Sequence, residues 1–287
     1  ESNFINDKIK FVNTRIKDHF LFFNKYNTDN IKFAEDEIFG RHLIANRNFN
    51  KGEIIFTEYP IMSTTLNPSD KLCEVCFSES IYYSSKLKEE FFCSEKCRQI
   101  AYKTYLKALE GKKINALKEK MAKEYEKDIT YTDFLVIKIF FMMQQEEMEY
   151  PNNPEKHENS MKMRHIYTKN TEEITNINIF KRFLFIKDSL NLNDNESFSF
   201  QFFNETYYKV QNNLKVINLE EKELEDLTDD EMKGSLLHFY FSFLNHSCVP
   251  NAKIQKNSKT NLIKVTIEAE KNIQKGEQIF ISYLDIL

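Results

Sequence analysis

Residues 244–251 read "LNHSCVPN", directly after a run of apolar and aromatic side chains, "LHFYFSF" (237–243). Two amides, an imidazole, a hydroxyl and a thiol fall together at the end of a buried-looking segment that a proline closes. His246 and Cys248 are near neighbours, which first raises a thiol hydrolase. Residues two apart on an extended segment point to opposite faces, whereas a nucleophile and its base must meet within hydrogen-bond reach. The spacing therefore argues against that chemistry. A phosphate-cradling loop is excluded too, because the chain has 5 glycines and no two stand close enough for a G-x-G-x-x-G or P-loop pattern.

The chain has 287 residues, enough for one large domain or two smaller ones with a substantial core. Its net charge of −4 argues against a strongly basic nucleic-acid-binding domain, and an acidic surface would suit a basic substrate. It begins at Glu1, and no charged stretch leads into an apolar one there, so nothing reads as a secretory signal. An intracellular fragment is expected, resident in nucleus or cytoplasm. The apolar run "FLVIKIFFMM" (134–143) is short and carries Lys138, which predicts a core helix and no membrane span.

Ile5, Ile9, Val12 and Ile16 recur at helical spacing and predict an N-terminal amphipathic helix within residues 1–29. From Ile31 the pattern becomes extended, in "IKFAE", "HLIANRNF" and "EIIFTEYPIM", punctuated by Gly40 and Gly52. "RQIAYKTYLKAL", residues 113–148 and "INIFKRFLFIKDSL" read as helices, and "YPNNPEKHENS" as a boundary or flexible insertion. In "LEEKELEDLTDDEMKG", Thr228 and Glu231 have capping-box spacing, with Gly234 placed to end a short solvated helix. Ile263, Val265, Ile267 and Ala269 alternate with polar residues as in a half-buried strand. "RNFNKGEIIF" (47–56) and "KNIQKGEQIF" (271–280) echo each other through a shared Lys-Gly-Glu turn, which predicts two similar hairpin elements at opposite ends of one β-rich domain. His19, His157 and His165 read as surface or helix residues, and His238 as a core histidine.

"CEVC" (73–76) and "CSEKC" (93–97) make C-x2-C-x16-C-x3-C. Two close pairs joined by a loop suit one tetrahedral zinc, with Cys73, Cys76, Cys93 and Cys97 forming a closed structural site. Disulfides are the competing reading, disfavoured in a reducing compartment. "FFCSEKCRQIAYKTY" resembles the MYND zinc finger, whose usual form holds two zinc ions. Only the first zinc's ligands match, and the terminal His and Cys positions fall on Leu106 and Glu110. The resemblance implies a reduced, one-zinc finger.

"NHSCVPN" resembles the signature of the SET domain, the protein-lysine methyltransferase fold, and "GEQIFISYLD" (276–285) resembles its second signature. "FGRHLIANRNFNKGEII" resembles the opening G-x-G-L segment, with His42 in place of the second glycine. "VQNNLKVIN" resembles a further segment of SET–MYND proteins. The order of motifs resembles the SET–MYND (SMYD) family over roughly residues 30–287.

The resemblance implies an α+β fold, a β-rich SET domain with a knot-like C-terminal crossing, split by a small zinc finger and a helical insert. The implied organisation is an N-terminal helix (1–29), a first SET part (30–70), a MYND-like finger (71–112), a helical insert (113–195) and a second SET part (196–287). It implies a protein-lysine N-methyltransferase that uses S-adenosylmethionine, held by Arg41, Leu43, Asn212, Asn245 and His246, with Tyr283 as the catalytic residue and Tyr240 and Phe280 near the lysine channel. Pro250 and Asn251 would fix the turn. The implied partner is a lysine-bearing protein or peptide, histone or otherwise, with no direct nucleic-acid binding, no membrane and a monomeric chain. In the family the cysteine equivalent to Cys248 shares a zinc with downstream cysteines, and the sequence after it holds none. An interaction scaffold that keeps the fold without turnover is the alternative.

Overall fold

The computed structural model describes residues 22–65, 70–79, 82–83, 90–125, 127–166, 176–218, 232–255 and 263–283. His19, most of the expected N-terminal helix and the capping-box segment at Thr228 and Glu231 lie outside the described residues. In chain order the elements are β1 (Ile31–Asp36), β2 (Gly40–Ala45), β3 (Ile54–Glu58), β4 (Met62–Thr65), β5 (Tyr82–Tyr83), β6 (Phe91–Phe92), α1 (Glu95–Ala101), α2 (Ile114–Glu124), α3 (Lys127–Glu149), α4 (Glu158–His165), α5 (Ile177–Ser189), α6 (Phe200–Gln211), β7 (Leu214–Asn218), β8 (Met232–Leu237), β9 (Asn245–His246), β10 (Ala252–Ile254), β11 (Val265–Ala269) and β12 (Phe280–Ile281). They group into two compact units. The first takes Glu1–Thr57, Phe243–Gln255 and Val265–Asp285, and the second Glu58–Ser242, Lys256–Lys264 and Ile286–Leu287.

After a helical stretch at residues 22–25, the described part of the first unit is built of short strands. β1 and β2 form a hairpin whose turn is held by the Asp36 carboxylate, which accepts the N–H groups of Ile38 at 2.9 Å and Phe39 at 2.6 Å. β10, β11 and β3 make a three-stranded sheet. Thr266 in β11 is as buried as its apolar neighbours and faces the Thr57 hydroxyl at 3.4 Å, so this strand is buried on both faces where alternation predicted one.

The echoing segments pair with each other. Phe49 and Ile273 exchange backbone hydrogen bonds of 2.8 and 2.9 Å, the Lys51 N–H donates to the Asn272 side chain at 2.9 Å, and the Lys275 N–H donates to Asn48 at 2.8 Å. Gly52 donates to the Ala269 carbonyl and Gly276 to that of Ala45, both at 2.8 Å. Each contact thus has a counterpart at the equivalent position of the other segment, a local two-fold relation. Both glycines sit at positive φ, 90° and 92°, with open space where a Cβ would go. Gly52→Ala and Gly276→Ala should therefore each cost about 1–2 kcal/mol of backbone strain alone, and urea titrations should give the two the same loss.

The second unit is mostly helical. α1 continues through a π turn, Tyr102–Leu106, into a last helical turn, Lys107–Leu109. The Gln145 side chain repairs the ladder there, donating to the Tyr102 carbonyl at 2.7 Å and accepting from the Lys107 N–H at 3.1 Å. α3 buries every residue from 131 to 142. Among the described residues no helix is long and apolar enough to cross a membrane. A phenylalanine cluster joins α3, α5 and α6, with the Phe140 and Phe198 rings 4.7 Å apart and those of Phe183 and Phe203 5.7 Å apart.

Several expectations change here. "EIIFTEYPIM" is two strands in different sheets, since the chain breaks at Tyr59–Pro60 between β3 and β4. Gly234 ends no helix: it lies inside β8, opposite Thr65 of β4. A Cβ on it would stand 2.1 Å from the Phe77 ring and 2.4 Å from the Thr64 carbonyl oxygen, so glycine is there for close approach. The segment after Tyr150 is an ordered turn, a 3₁₀ turn (Pro154–Lys156) and the start of α4. His157 and His165 are buried, and His157 Nε2 bonds the Tyr150 carbonyl at 3.0 Å. His238 is buried as expected, bonded through Nε2 to the Ile263 carbonyl at 3.0 Å, with burial pushing its pKa down to about 4.

Glu58 begins this unit. Its carboxylate accepts the N–H groups of Phe239, Tyr240 and Phe241 at 2.8, 2.9 and 3.1 Å, capping the 3₁₀ turn Tyr240–Phe243. Burial pushes its pKa up to about 7, against the pull of those donors and of Lys162. A carboxyl with a raised folded pKa binds its proton more tightly folded than unfolded, so this contribution to stability grows as pH falls from 7 towards 4.5 and is lost above 7. Buried Asp133, also raised to about 7, acts in the same direction, while neutral, buried His238 opposes them below 6.5. The denaturant midpoint should rise as pH drops from 8 to 6.5, and Glu58→Gln should flatten that rise.

Candidate functional site

Backbone groups of "LNHSCVPN", with the side chains of His246 and Asn251, stitch it to the segment near Tyr283. β9 pairs parallel with β12, Asn245 against Phe280 and His246 against Ile281, and the Ser247 N–H continues the ladder to the Ile281 carbonyl at 3.0 Å. The Asn251 side chain both donates to the Gln278 carbonyl and accepts from the Phe280 N–H, each at 2.8 Å. On its other side the same segment meets β2, where the Ile279 N–H reaches the Leu43 carbonyl at 2.9 Å and Ile44 bridges Gln278. Residues 278–281 thus run between β2 and β9.

This crossing brings Tyr283 onto His246. The Tyr283 N–H donates to His246 Nδ1 at 3.0 Å, and its hydroxyl donates to the Leu244 carbonyl at 2.7 Å. A carbonyl only accepts, so the phenol hydrogen is committed to Leu244 and the oxygen's lone pairs stay available as acceptors. Burial raises the Tyr283 pKa further, which keeps the phenol neutral. Its side chain remains within reach of solvent, at 43% exposure.

The expectation that His246 and Cys248 face apart is wrong. His246 Nε2 lies 3.4 Å from the Cys248 sulfur, because the chain leaves β9 at Ser247, whose hydroxyl accepts the Val249 N–H at 3.1 Å, and bends over Cys248 and Val249. The hydrolase reading still fails, for another reason. Nδ1 accepts a backbone N–H, so the neutral ring carries its hydrogen on Nε2, facing the sulfur as a donor and unable to act as its base.

Arg41, Leu43, Asn245 and His246 lie in the first unit with Tyr283; Asn212 belongs to the second. Asn245 is half-buried, and its amide nitrogen donates to the Phe39 carbonyl at 3.2 Å. The Arg41 guanidinium lies 6.0 Å from the Phe23 ring and 5.9 Å from that of Phe243, and Leu43 is fully buried. His42, in place of the usual glycine, is buried with Nδ1 bonded to the Gly40 carbonyl at 2.8 Å. Asn212 caps the C-terminus of α6 and is exposed. Phe280 packs edge-on against Phe39 at 5.4 Å, whereas Tyr240 lies in the second unit, its pKa pushed up to about 12 by burial and by Glu58.

In the second unit the four cysteines converge, with their sulfurs all within 4.8 Å of one another. The Cys76–Cys93, Cys93–Cys97 and Cys97–Cys76 separations are 3.4, 3.6 and 3.8 Å. Thiolates about 2.3 Å from a tetrahedral zinc sit about 3.8 Å apart, so the cluster fits one zinc ion. Ser94 caps α1 by accepting the Cys97 N–H at 3.3 Å, which fixes the second pair.

Beneath this cluster lies a feature the sequence reading missed. Glu74, between the first two cysteines, buries its carboxylate against Lys118 Nζ at 2.7 Å and Lys138 Nζ at 2.6 Å. Lys138 also reaches Glu90 at 3.2 Å, the Tyr105 hydroxyl at 3.1 Å and the Ser63 carbonyl at 3.2 Å. The four side chains, two acids and two bases, are each no more than 2% exposed. Burial raises the Glu90 pKa and lowers that of Lys118, in each case against the pull of the opposite charges nearby. Burial by itself would raise the Glu74 pKa, but the two ammonium groups outweigh it and hold the carboxyl well below its usual range. Burial would likewise lower Lys138, and the two glutamates override it. The one sequence signal was Lys138 inside an apolar helical run.

The sequence profile of the SET domain matches residues 40–284. Among curated proteins, the N-lysine methyltransferases SMYD2-A and SMYD2-B of Xenopus laevis are 25% and 24% identical to the chain over 259 residues, which is 86% of this chain and 53% of each relative. The chain thus spans about half the length of the curated relatives it matches. Among solved structures, the SET domain of LSMT bound to lysine and AdoHcy aligns over 93% of this chain and 53% of that one, with 10% identity and a TM-score of 0.42.

Proposed function

The chain belongs to the SET domain family, and from that membership we propose that it is an S-adenosylmethionine-dependent protein-lysine N-methyltransferase of the SET–MYND kind. The single observation that carries this reading is the neutral Tyr283 phenol, its hydrogen donated to Leu244 and its lone pairs free to accept, beside the paired strands of Asn245 and Phe280. The half-buried amide of Asn245 and the aromatic faces of Phe39 and Phe280 offer the mixture of polar and apolar contact that a nucleoside with an amino-acid tail requires.

S-adenosylmethionine supplies an activated methyl group on a sulfonium. Asn245 and His246 would hold it, with Arg41 and Leu43 as further candidates from β2; Asn212 of the second unit is a candidate on the resemblance of its segment alone. The Tyr283 oxygen accepts a hydrogen bond from the attacking lysine amine and orients its lone pair. Because the phenol stays protonated, it is no general base, and the amine must arrive neutral, which an apolar channel promotes by lowering its pKa. Positioning then carries most of the rate. The substrate is a lysine-bearing protein, histone or non-histone, met by a monomeric chain in nucleus or cytoplasm.

Calorimetric titration of the zinc-loaded protein with S-adenosylmethionine tests this reading. Asn245→Ala should weaken binding by at least about tenfold, the scale of one lost polar contact at a buried edge. A folded wild-type protein that binds no S-adenosylmethionine would favour the scaffold alternative.

A further inference from the structure

We propose that the buried network of Glu74, Lys118, Lys138 and Glu90 makes zinc at the four cysteines a condition for order in the helices α2 and α3. The inference depends on the zinc assignment and is independent of methyl transfer.

Glu74 is the joint. It stands one residue after Cys73 and two before Cys76, so the metal that fixes the two cysteines also fixes the position of its backbone. Its side chain points away from the sulfurs into the interior. There it is the counter-ion of Lys118 on α2 and Lys138 on α3, and it also accepts from the Thr65 hydroxyl and, at 3.1 Å, from the Thr65 N–H of β4. Lys118 has no other carboxylate partner among the described residues, while Lys138 has Glu90 as its second. Glu90 in turn lies three residues before Cys93 and accepts from the Tyr105 hydroxyl at 3.2 Å, on the π turn that follows α1.

Both acids of the network are therefore carried by the two segments the zinc ties together, and both bases by the helices. Without the metal no covalent or coordinate link joins the two cysteine segments, and the Glu74 N–H, which donates to the Phe91 carbonyl at 2.9 Å, is left to hold them in register. If Glu74 withdraws, two ammonium groups stay buried at 2% exposure with one carboxylate between them. A buried ion whose partner leaves is strongly destabilising, so α2 and α3 must open to water to relieve it. The fold thus converts loss of the ion at the four cysteines into loosening of the longest helix in the described chain.

Hydrogen exchange followed by mass spectrometry, on the full chain with stoichiometric zinc and again after chelation, tests this. Amides of α2 and of α3 around Lys138 should exchange at least tenfold faster without zinc, while those of the β1–β2 hairpin stay within twofold. By reciprocity, Lys118→Met, which alters no cysteine, should weaken zinc binding at least tenfold in chelator competition. Val210→Ala, a truncation at a buried site in α6, is the control for general destabilisation and should leave zinc affinity within twofold. Protection of α2 and α3 that survives chelation overturns the inference, as does an equal loss of zinc affinity in the two variants. If Lys118→Met does not fold, the chelation result on the wild-type chain decides. Protein that holds no zinc at the cysteines overturns the metal assignment and the inference together.

Discussion

Lys138→Met should lower the stability of the protein by about 3–5 kcal/mol, read as a drop in the urea midpoint at pH 7 with an unchanged slope. Methionine matches the aliphatic stem of lysine, so the cost is almost all electrostatic. Removing the ammonium group takes from Glu90 its lysine partner and leaves Glu74 with Lys118 as its one remaining cation among the described residues, in a site no more than 2% exposed. Replacing all four charged residues by apolar ones of similar volume should cost much less than this single change, because no ion is then buried unpaired. A loss below about 1 kcal/mol for Lys138→Met would show that the network relaxes or admits water.

Tyr283→Phe should reduce methyl transfer by about a hundredfold, the scale seen when one preorganised hydrogen-bonding group is removed from a reacting centre. The ring would keep its place beside His246, at a centroid separation of 5.3 Å, and the backbone N–H would still donate to Nδ1. Only the hydroxyl and its bond to Leu244 disappear, a stability cost of about 1 kcal/mol. The loss should therefore fall on kcat, with S-adenosylmethionine affinity by calorimetry nearly unchanged. Transfer of labelled methyl groups to a lysine substrate of the wild-type protein measures it. Equal turnover in the two proteins would remove Tyr283 from the mechanism.

The parts of this protein that could be read from the chain are those whose physics is local. Four cysteines in two close pairs predict a converging cluster because each pair lies within one turn, and the sulfurs do converge. The Lys-Gly-Glu echo was legible because a turn at positive φ needs its glycine in place, and Gly52 and Gly276 both adopt it. "LNHSCVPN" and "GEQIFISY" were legible as motifs because their side chains are spent on fixed backbone partners, as Asn251 is on Gln278 and Phe280.

What stayed hidden depends on separations the chain does not announce. Glu74 meets Lys118 and Lys138 across 44 and 64 residues, and Glu58 finds three backbone donors more than 180 residues away. Local pattern made Gly234 a helix end, when Phe77 and Thr64 require it inside a strand. Alternation placed His246 and Cys248 on opposite faces, until a bend at Cys248 and Val249 returned the thiol to the ring. The sequence by itself determined the family, the four-cysteine cluster and the strands that cross near Tyr283, because motif spacing encodes local geometry. The tertiary structure alone decided which charges are buried together, which His246 nitrogen carries the hydrogen and where the Tyr283 proton points, because each depends on a partner that folding brings from a distant part of the chain.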